Sequence, residues 1–217
     1  ATIKPGRKVD DFINVRDFAP TFLEMAGVPV HAQMTGRSLL NLLRSPQSGW
    51  VENRGEMLVG KERHDLGRPN NAGYPVRALR TKDFLYVRNF HPERWPAGNP
   101  ETDFGNCDPG PTKEVLKTIG GQFYDLSFGK RFADELYDLR RDPHGVNNLA
   151  NDLFYAGTVE AMRSRMLVLL KEDQDPRVLG QAAVLESYEY VGGGGNKAYA
   201  NWLKAQDAKL KGEPAAP

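Results

Sequence analysis

The sequence predicts an α+β fold in which a small antiparallel sheet is packed by one long helix. Three observations point there: extended runs separated by short polar turns in the middle of the chain, one long apolar-striped helix after them, and two shorter helices before them. At the front, a short extended segment over residues 11–15 leads to Asp17, which is placed to cap a helix that tolerates Pro20 in its first turn. Phe18, Phe22 and Met25 recur there at helical spacing, Leu23 and Ala26 widen the stripe, and Gly27 stops it. Such a stripe has to pack on something. A second helix follows Ser38, with Leu39, Leu42 and Leu43 on one side and Ser45-Pro46 ending it.

From Glu56 the pattern changes to strands, at residues 57–59, 74–80 and 84–89. Thr81-Lys82-Asp83 makes the turn between the last two, and Leu85 and Val87 alternating with Tyr86 and Arg88 fit a hairpin with one buried face. Residues 90–129 are rich in Pro, Gly, Asn and Asp and read as one long loop. A further strand over 135–139 ends in the turn Arg141-Asp142-Pro143-His144-Gly145. Asp152 then caps the longest helix, whose face is traced by Val159, Met162, Met166, Leu169 and Leu170; this helix is the cover the sheet needs. After Asp175-Pro176 come a flexible Gly192–Gly195 joint, a polar helix over 198–211 and a frayed end.

Composition narrows the function classes. With 40% hydrophobic and 26% charged residues the 217-residue chain is globular, and 29 Lys and Arg against 28 Asp and Glu leave no global field for nucleic acid or an anionic membrane. No apolar run approaches the roughly 20 residues of a membrane-spanning helix. The one cysteine, Cys107, makes no intrachain disulfide, and His31, His64, His91 and His144 are too scattered for a metal site. Gly192–Gly195 with Asn196-Lys197 is not a phosphate loop, because Ala198 stands where Ser or Thr is needed.

Three stretches carry a family likeness: residues 17–29 (DFAPTFLEMAGVP) with Gly36-Arg37-Ser38-Leu39-Leu40; residues 76–81 (VRALRT) with 84–89 (FLYVRN); and 135–139 (ELYDL) running into Asp142-Pro143-His144 and Asn147-Asn148-Leu149-Ala150. In this order and spacing they resemble the C-terminal part of sulfatases, enzymes of the alkaline-phosphatase-like superfamily. Residues 62–69, 95–100 and Asn106-Cys107-Asp108 are most similar to bacterial relatives of heparan N-sulfatase (N-sulfoglucosamine sulfohydrolase). The resemblance implies that residues 1–50 close the large sulfatase domain, that 51–176 form the C-terminal subdomain, and that 177–217 are a tail.

The resemblance also implies a hydrolase that cuts sulfate, expected to be N-linked, from a glucosamine-containing saccharide, in a periplasmic, secreted or lysosomal setting. Its nucleophile would be a formylglycine made in a Cys/Ser-x-Pro-x-Arg motif, assisted by a calcium ion that holds charge on the sulfuryl oxygens. Cys107-Asp108-Pro109 begins like that motif, but Pro111 stands where arginine belongs, so no catalytic residue is expected here and the chain alone should be inactive without an N-terminal catalytic domain. What remains is substrate binding. Arg63 and His64 follow a strand end, where a planar guanidinium suits sulfate or carboxylate and an imidazole suits a sugar hydroxyl. Arg68 and Asn71, with Asn70 beside them, add hydrogen bonds, and Trp95, Asp108 and Lys113 in the long loop suit a sugar face with its hydroxyls and anions. Arg77 and Arg80 read as ion pairs across the hairpin, and His144 as structural.

Two rivals stay open on sequence: a phosphodiester or phosphonate hydrolase of the same superfamily, and a non-catalytic carbohydrate-binding module working through Trp95. An independent module should cover the Phe18/Phe22 stripe within the chain; a segment serving a larger enzyme should leave it exposed.

Overall fold

A computed structural model describes residues 3–64, 66–191 and 198–211. The α+β expectation holds: four antiparallel strands in the order β1 (Glu56–Lys61), β2 (Val76–Thr81), β3 (Phe84–Asn89) and β4 (Asp134–Asp138) form one sheet. The glycine joint and the residues after 211 lie outside the described residues.

Register decides the core. Leu58 faces Leu79, Leu79 faces Tyr86, and Tyr86 faces Leu136 on adjacent strands, so four large side chains form one row across the sheet. Leu79, Tyr86 and Leu136 are fully buried, and onto them the helix Ala156–Glu172 lays Val159, Met162, Met166 and Leu170. Asp152 does not cap the long helix itself: it accepts from the Phe154 amide at 2.9 Å at the head of the 3-10 turn Leu153–Tyr155, which leads into the helix through Tyr155. In the β2–β3 hairpin the buried member is Tyr86, not the Leu85 and Val87 side, which stays half-buried. Its hydroxyl bonds to the Asp134 carboxylate, also held by Arg88 at 2.8 Å, so the polar end of the ring is satisfied at the edge of the core.

Asn148 closes the outer edge of β4. Its side-chain oxygen accepts from the Leu136 and Ala150 amides, both at 2.9 Å, and the Leu149 amide reaches the Leu136 carbonyl at 2.8 Å. The turn before it is organised by Asp142, whose carboxylate accepts from the Val146 and Asn147 amides.

In the N-terminal part the helices α1 (Phe18–Met25) and α2 (Leu40–Arg44) form where expected, but the cap is different. Asn14 caps a short 3-10 turn, Val15–Asp17, that precedes α1. Asp17 is buried instead: its carboxylate accepts from the Asn14 and Arg37 amides, and it pairs with Arg54 at 3.6 Å. Thr21, also buried, accepts from the Leu39 amide at 2.8 Å. Asp11 accepts from the amides of Val51, Glu52 and Arg54. Because these buried polar groups are partnered, α1 turns its polar side inward. Phe18, Phe22 and Met25 are left 42%, 66% and 56% exposed; among the described residues the stripe has no cover.

The 90–129 stretch is not one loop. Pro111–Ile119 (α3) and Gly121–Phe128 (α4) are helical, Pro111 supplying a favourable first-turn residue. The chain after the long helix (α5, Ala156–Glu172) is tied down by ion pairs. Arg77 does form salt bridges, but to Asp175 and Glu62, each at 2.5 Å, rather than across its hairpin. Arg177 pairs with Glu62 at 2.5 Å and with Glu186 at 3.0 Å, the latter in α6 (Ala182–Ser187). Arg80 donates to the Lys82 carbonyl and lies over the Phe12 ring. The polar helix α7 (Ala198–Leu210) rests against the turn Pro100–Thr102.

Truncating the centre of the core row, Leu79→Ala, removes contacts on both strand neighbours and should lower stability by about 2–5 kcal/mol, read as a lower urea midpoint with little change in slope. Acid should act through Asp134. Burial works to raise its carboxyl, but the Tyr86 hydroxyl and the Arg88 and Arg163 guanidiniums outweigh that and hold it below the ordinary range. A carboxylate held low in the folded state contributes stability that is present above its unfolded pKa, about 3.9, and is lost as pH falls through the folded value. Below about pH 4 the wild type should therefore lose stability more steeply than Asp134→Asn, a difference that pH-dependent denaturation can read.

Candidate functional site

The loop between β1 and β2 and the one after β3 interlock around Arg68. Its guanidinium donates to the carbonyls of Trp95 and Pro96, each at 2.7 Å, to the Asn106 side chain at 3.2 Å and to the Ala72 carbonyl at 3.4 Å. The residue is 1% exposed. Burial and the nearby charge of Arg94 pull its pKa down to about 10, so it remains a cation at neutral pH. Gly98 makes the interlock possible: its φ is +89°, and a Cβ there would sit 2.9 Å from the Asn106 amide nitrogen. Phe104 stacks on Phe128 at 4.5 Å and meets the Trp95 ring edge-on at 6.4 Å, anchoring the loop to α4.

The residues expected to bind substrate do not converge on one cleft. Arg68 and Trp95 come together, but through the Trp95 carbonyl, and every direction of the Arg68 fork meets protein. Lys113 is likewise buried, its ammonium on the carbonyls of Phe104 and Cys107 at 3.3 and 3.0 Å, with Asp103 at 3.5 Å. The expectation of an open loop is therefore corrected for these two; sequence composition does not reveal which cation a Gly/Pro-rich loop folds around. Arg63 is half-buried, donating to the carbonyls of Asn71 at 3.3 Å and Tyr188 at 2.5 Å and lying over the Tyr190 ring. His64, Asn71 and Asp108 are exposed. Asp108 shares a shallow cleft of about 470 Å³ with Cys107, whose thiol faces the Asp108 carbonyl at 3.8 Å.

A cleft that sequence reading missed lies on the sheet face away from α5. It measures about 420 Å³ and is lined by Lys61, Tyr74, Asn89, Arg131, Glu135 and Tyr137 among others, with His144 exposed at its rim. Strand parity builds it: Val87 and Glu135 are cross-strand partners on this face, as Tyr86 and Leu136 are on the other. Glu135, 6% exposed, accepts from the Asn89 amide nitrogen at 2.6 Å and from the Tyr137 hydroxyl. Burial and this bond to Glu135 push the Tyr137 phenol up. Tyr74 is 4% exposed, and its hydroxyl has no hydrogen-bond partner among the described residues. Burial, and then the Glu135 charge, push its phenol up to about 12. Desolvation and the charge of Arg68 pull the Lys61 ammonium down.

Residues 1–58 match the family model "N-sulphoglucosamine sulphohydrolase, C-terminal". The chain is 28% identical over 173 residues to an ulvan-active sulfatase of Formosa agariphila, covering 80% of this chain and 32% of that protein. It is also 28% identical over 198 residues to human N-sulphoglucosamine sulphohydrolase, covering 83% of this chain and 36% of that protein. The chain thus spans about a third of the length of these relatives. Among solved structures, a candidate sulfatase from Bacteroides fragilis superposes with a TM-score of 0.51 at 17% identity over 82% of this chain and 29% of that one, a likeness of fold. The sulfatase likeness carried by the three motif stretches is borne out: this chain is similar to sulfatases, and over its first 58 residues to the C-terminal region of N-sulphoglucosamine sulphohydrolase.

Proposed function

We propose that the chain serves as the C-terminal part of a sulfatase that hydrolyses sulfate, N-linked by preference, on a glucosamine-containing saccharide. The observation that carries this reading is the match of residues 1–58 to the C-terminal region of N-sulphoglucosamine sulphohydrolase. Geometry supports it through α1: a stripe of Phe18, Phe22 and Met25 in open solvent is costly, and a large catalytic domain packed on it removes that cost. The sulfatase relatives favour this reading over a phosphonate hydrolase or a free carbohydrate-binding module.

In this reading Arg63, His64 and Asn71 are the substrate contacts, because they stand on the outer rim of the β1–β2 loop, where side chains reach a ligand held by a facing domain. Trp95 and Asp108, expected from sequence as further contacts, lie on the loops after β3, and Asp108 lines a separate cleft with Cys107. Arg68 and Lys113 are positioning residues that hold the loops in shape through backbone carbonyls. The formylglycine and calcium ion that the resemblance implies are assigned to the catalytic domain. Among the described residues no group of three or more His, Cys, Asp or Glu side chains is arranged to hold a metal ion. The saccharide setting suggests a periplasmic, secreted or lysosomal enzyme; no helix among the described residues is long and apolar enough to cross a membrane.

Incubated alone with N-sulfoglucosamine, the 217-residue chain should release no sulfate by ion chromatography, and turnover without an added partner would refute the proposal. In an enzyme carrying this segment, Arg63→Ala and His64→Ala should each raise KM about tenfold, the loss of one charge-assisted hydrogen bond of ~1.5 kcal/mol; melting should be unchanged for His64→Ala and lower for Arg63→Ala, whose guanidinium also holds the Asn71 and Tyr188 carbonyls. Arg68→Ala should instead lower the melting temperature, since it strands buried carbonyls at roughly 1–3 kcal/mol.

A further inference from the structure

We infer that residues 186–191 form a strap closed over Arg63: Glu186 latches it, Tyr188 and Tyr190 cap the guanidinium, and the tip must swing away before an outside ligand can use that guanidinium. As a gate to substrate the strap rests on the reading of Arg63 as a substrate contact; the closed strap itself stands on contacts within the chain.

The latch joins three separate stretches of chain. One Glu186 carboxylate oxygen accepts from Arg94 at 3.1 Å and from Arg177 at 3.0 Å, and the other accepts from the Gly73 amide at 3.4 Å. Arg94 also donates to the Gly73 carbonyl at 2.8 Å, so the loop before β2 and the loop after β3 are tied together where the carboxylate lands. The helix α6 ends one residue later at Ser187, and Tyr188 leaves it extended, with φ −65° and ψ 130°. The Tyr188 carbonyl then accepts from Arg63 at 2.5 Å, and the centre of the Tyr190 ring lies 5.8 Å from the Arg63 Cζ.

Beyond the latch the tip buries little. Tyr188 and Val191 are 59% and 93% exposed, and a segment with few buried apolar contacts opens at low free energy while the rest of the fold stays intact. The ligand side favours opening as well. The Tyr188 carbonyl has no net charge, whereas an oxyanion at the same guanidinium adds Coulomb attraction. A closed population lowers apparent affinity in proportion to the fraction that is open, so a variant that frees the tip gains affinity. Loss of a merely structural contact gives no such gain.

The test is modification of the full chain by phenylglyoxal, an arginine reagent, read residue by residue by peptide mass spectrometry with the exposed Arg141 as internal reference. In the wild type Arg63 should react at least about threefold more slowly than Arg141. Glu186→Ala and Tyr190→Ala should each speed Arg63 by about threefold or more and leave Arg141 unchanged. Tyr190 lies outside the ion-paired latch, so its variant keeps the test decisive if Glu186→Ala loosens the fold. In an enzyme carrying this segment, Tyr190→Ala should lower KM about threefold with kcat unchanged. An Arg63 that reacts as fast as Arg141 in the wild type, or that neither variant accelerates, overturns the strap. A KM unchanged or raised by Tyr190→Ala, in an enzyme whose KM does respond to Arg63→Ala, overturns the gate. If Arg63→Ala leaves KM unchanged, the substrate role of Arg63 falls and the gate with it, while the modification rates still decide the strap.

Discussion

The row Leu58, Leu79, Tyr86 and Leu136 is the constraint on which the rest of the molecule depends. Each fully buried member contributes about 1.5–3 kcal/mol of burial, and a slip of one residue in any strand would turn its share of that burial to the opposite face. The row therefore selects one register for all four strands. By doing so it also selects the opposite face, where Val87, Glu135 and Tyr137 stand. The polar cleft is in this sense a by-product of the apolar core: the same parity that puts Leu136 under the long helix puts its two neighbours on the other side.

Around this sheet the chain is held by buried charge used in two different ways. In the N-terminal part, Asp11, Asp17 and Arg54 are buried and spend themselves mostly on backbone amides and carbonyls, stitching residues 10–55 into one unit without a large apolar core. At the C-terminal side, Glu62, Arg77, Asp175, Arg177 and Glu186 form a linked set of ion pairs that brings the chain after α5 back to the end of β1. Arg68 follows the first pattern and organises the two interlocked loops. Removing one partner from any such cluster leaves a buried group unpaired, which is why such positions tolerate substitution poorly.

These local solutions account for the faces left over. Once Thr21 and Pro20 are committed inward, α1 can only present Phe18, Phe22 and Met25 outward. Arg68 and Lys113 are consumed by carbonyls and buried, whereas His64, Asn71 and Asp108 stay exposed on the same loops and Arg63, though bonded to the Asn71 and Tyr188 carbonyls, stays half-exposed. The division between structural and available cations is thus set by packing, and it runs through residues of the same chemical type a few positions apart.

The sequence by itself determined the α+β class, the hairpin from Val76 to Asn89, the strand before the Asp142 turn and the long helix with its Val159, Met162, Met166 and Leu170 face, because each is a local or periodic signal. It also carried the sulfatase likeness, which lies in short contiguous stretches. Only the tertiary structure decided that Asn14 rather than Asp17 caps the first turn, that residues 111–128 are helical, and that Arg77 pairs with Asp175 and Glu62. It alone assembled the cleft of Tyr74, Arg131 and Glu135. Those outcomes turn on which groups meet across 20 to 100 residues of chain, and a side chain's partner at that distance is set by burial and register rather than by its neighbours in sequence.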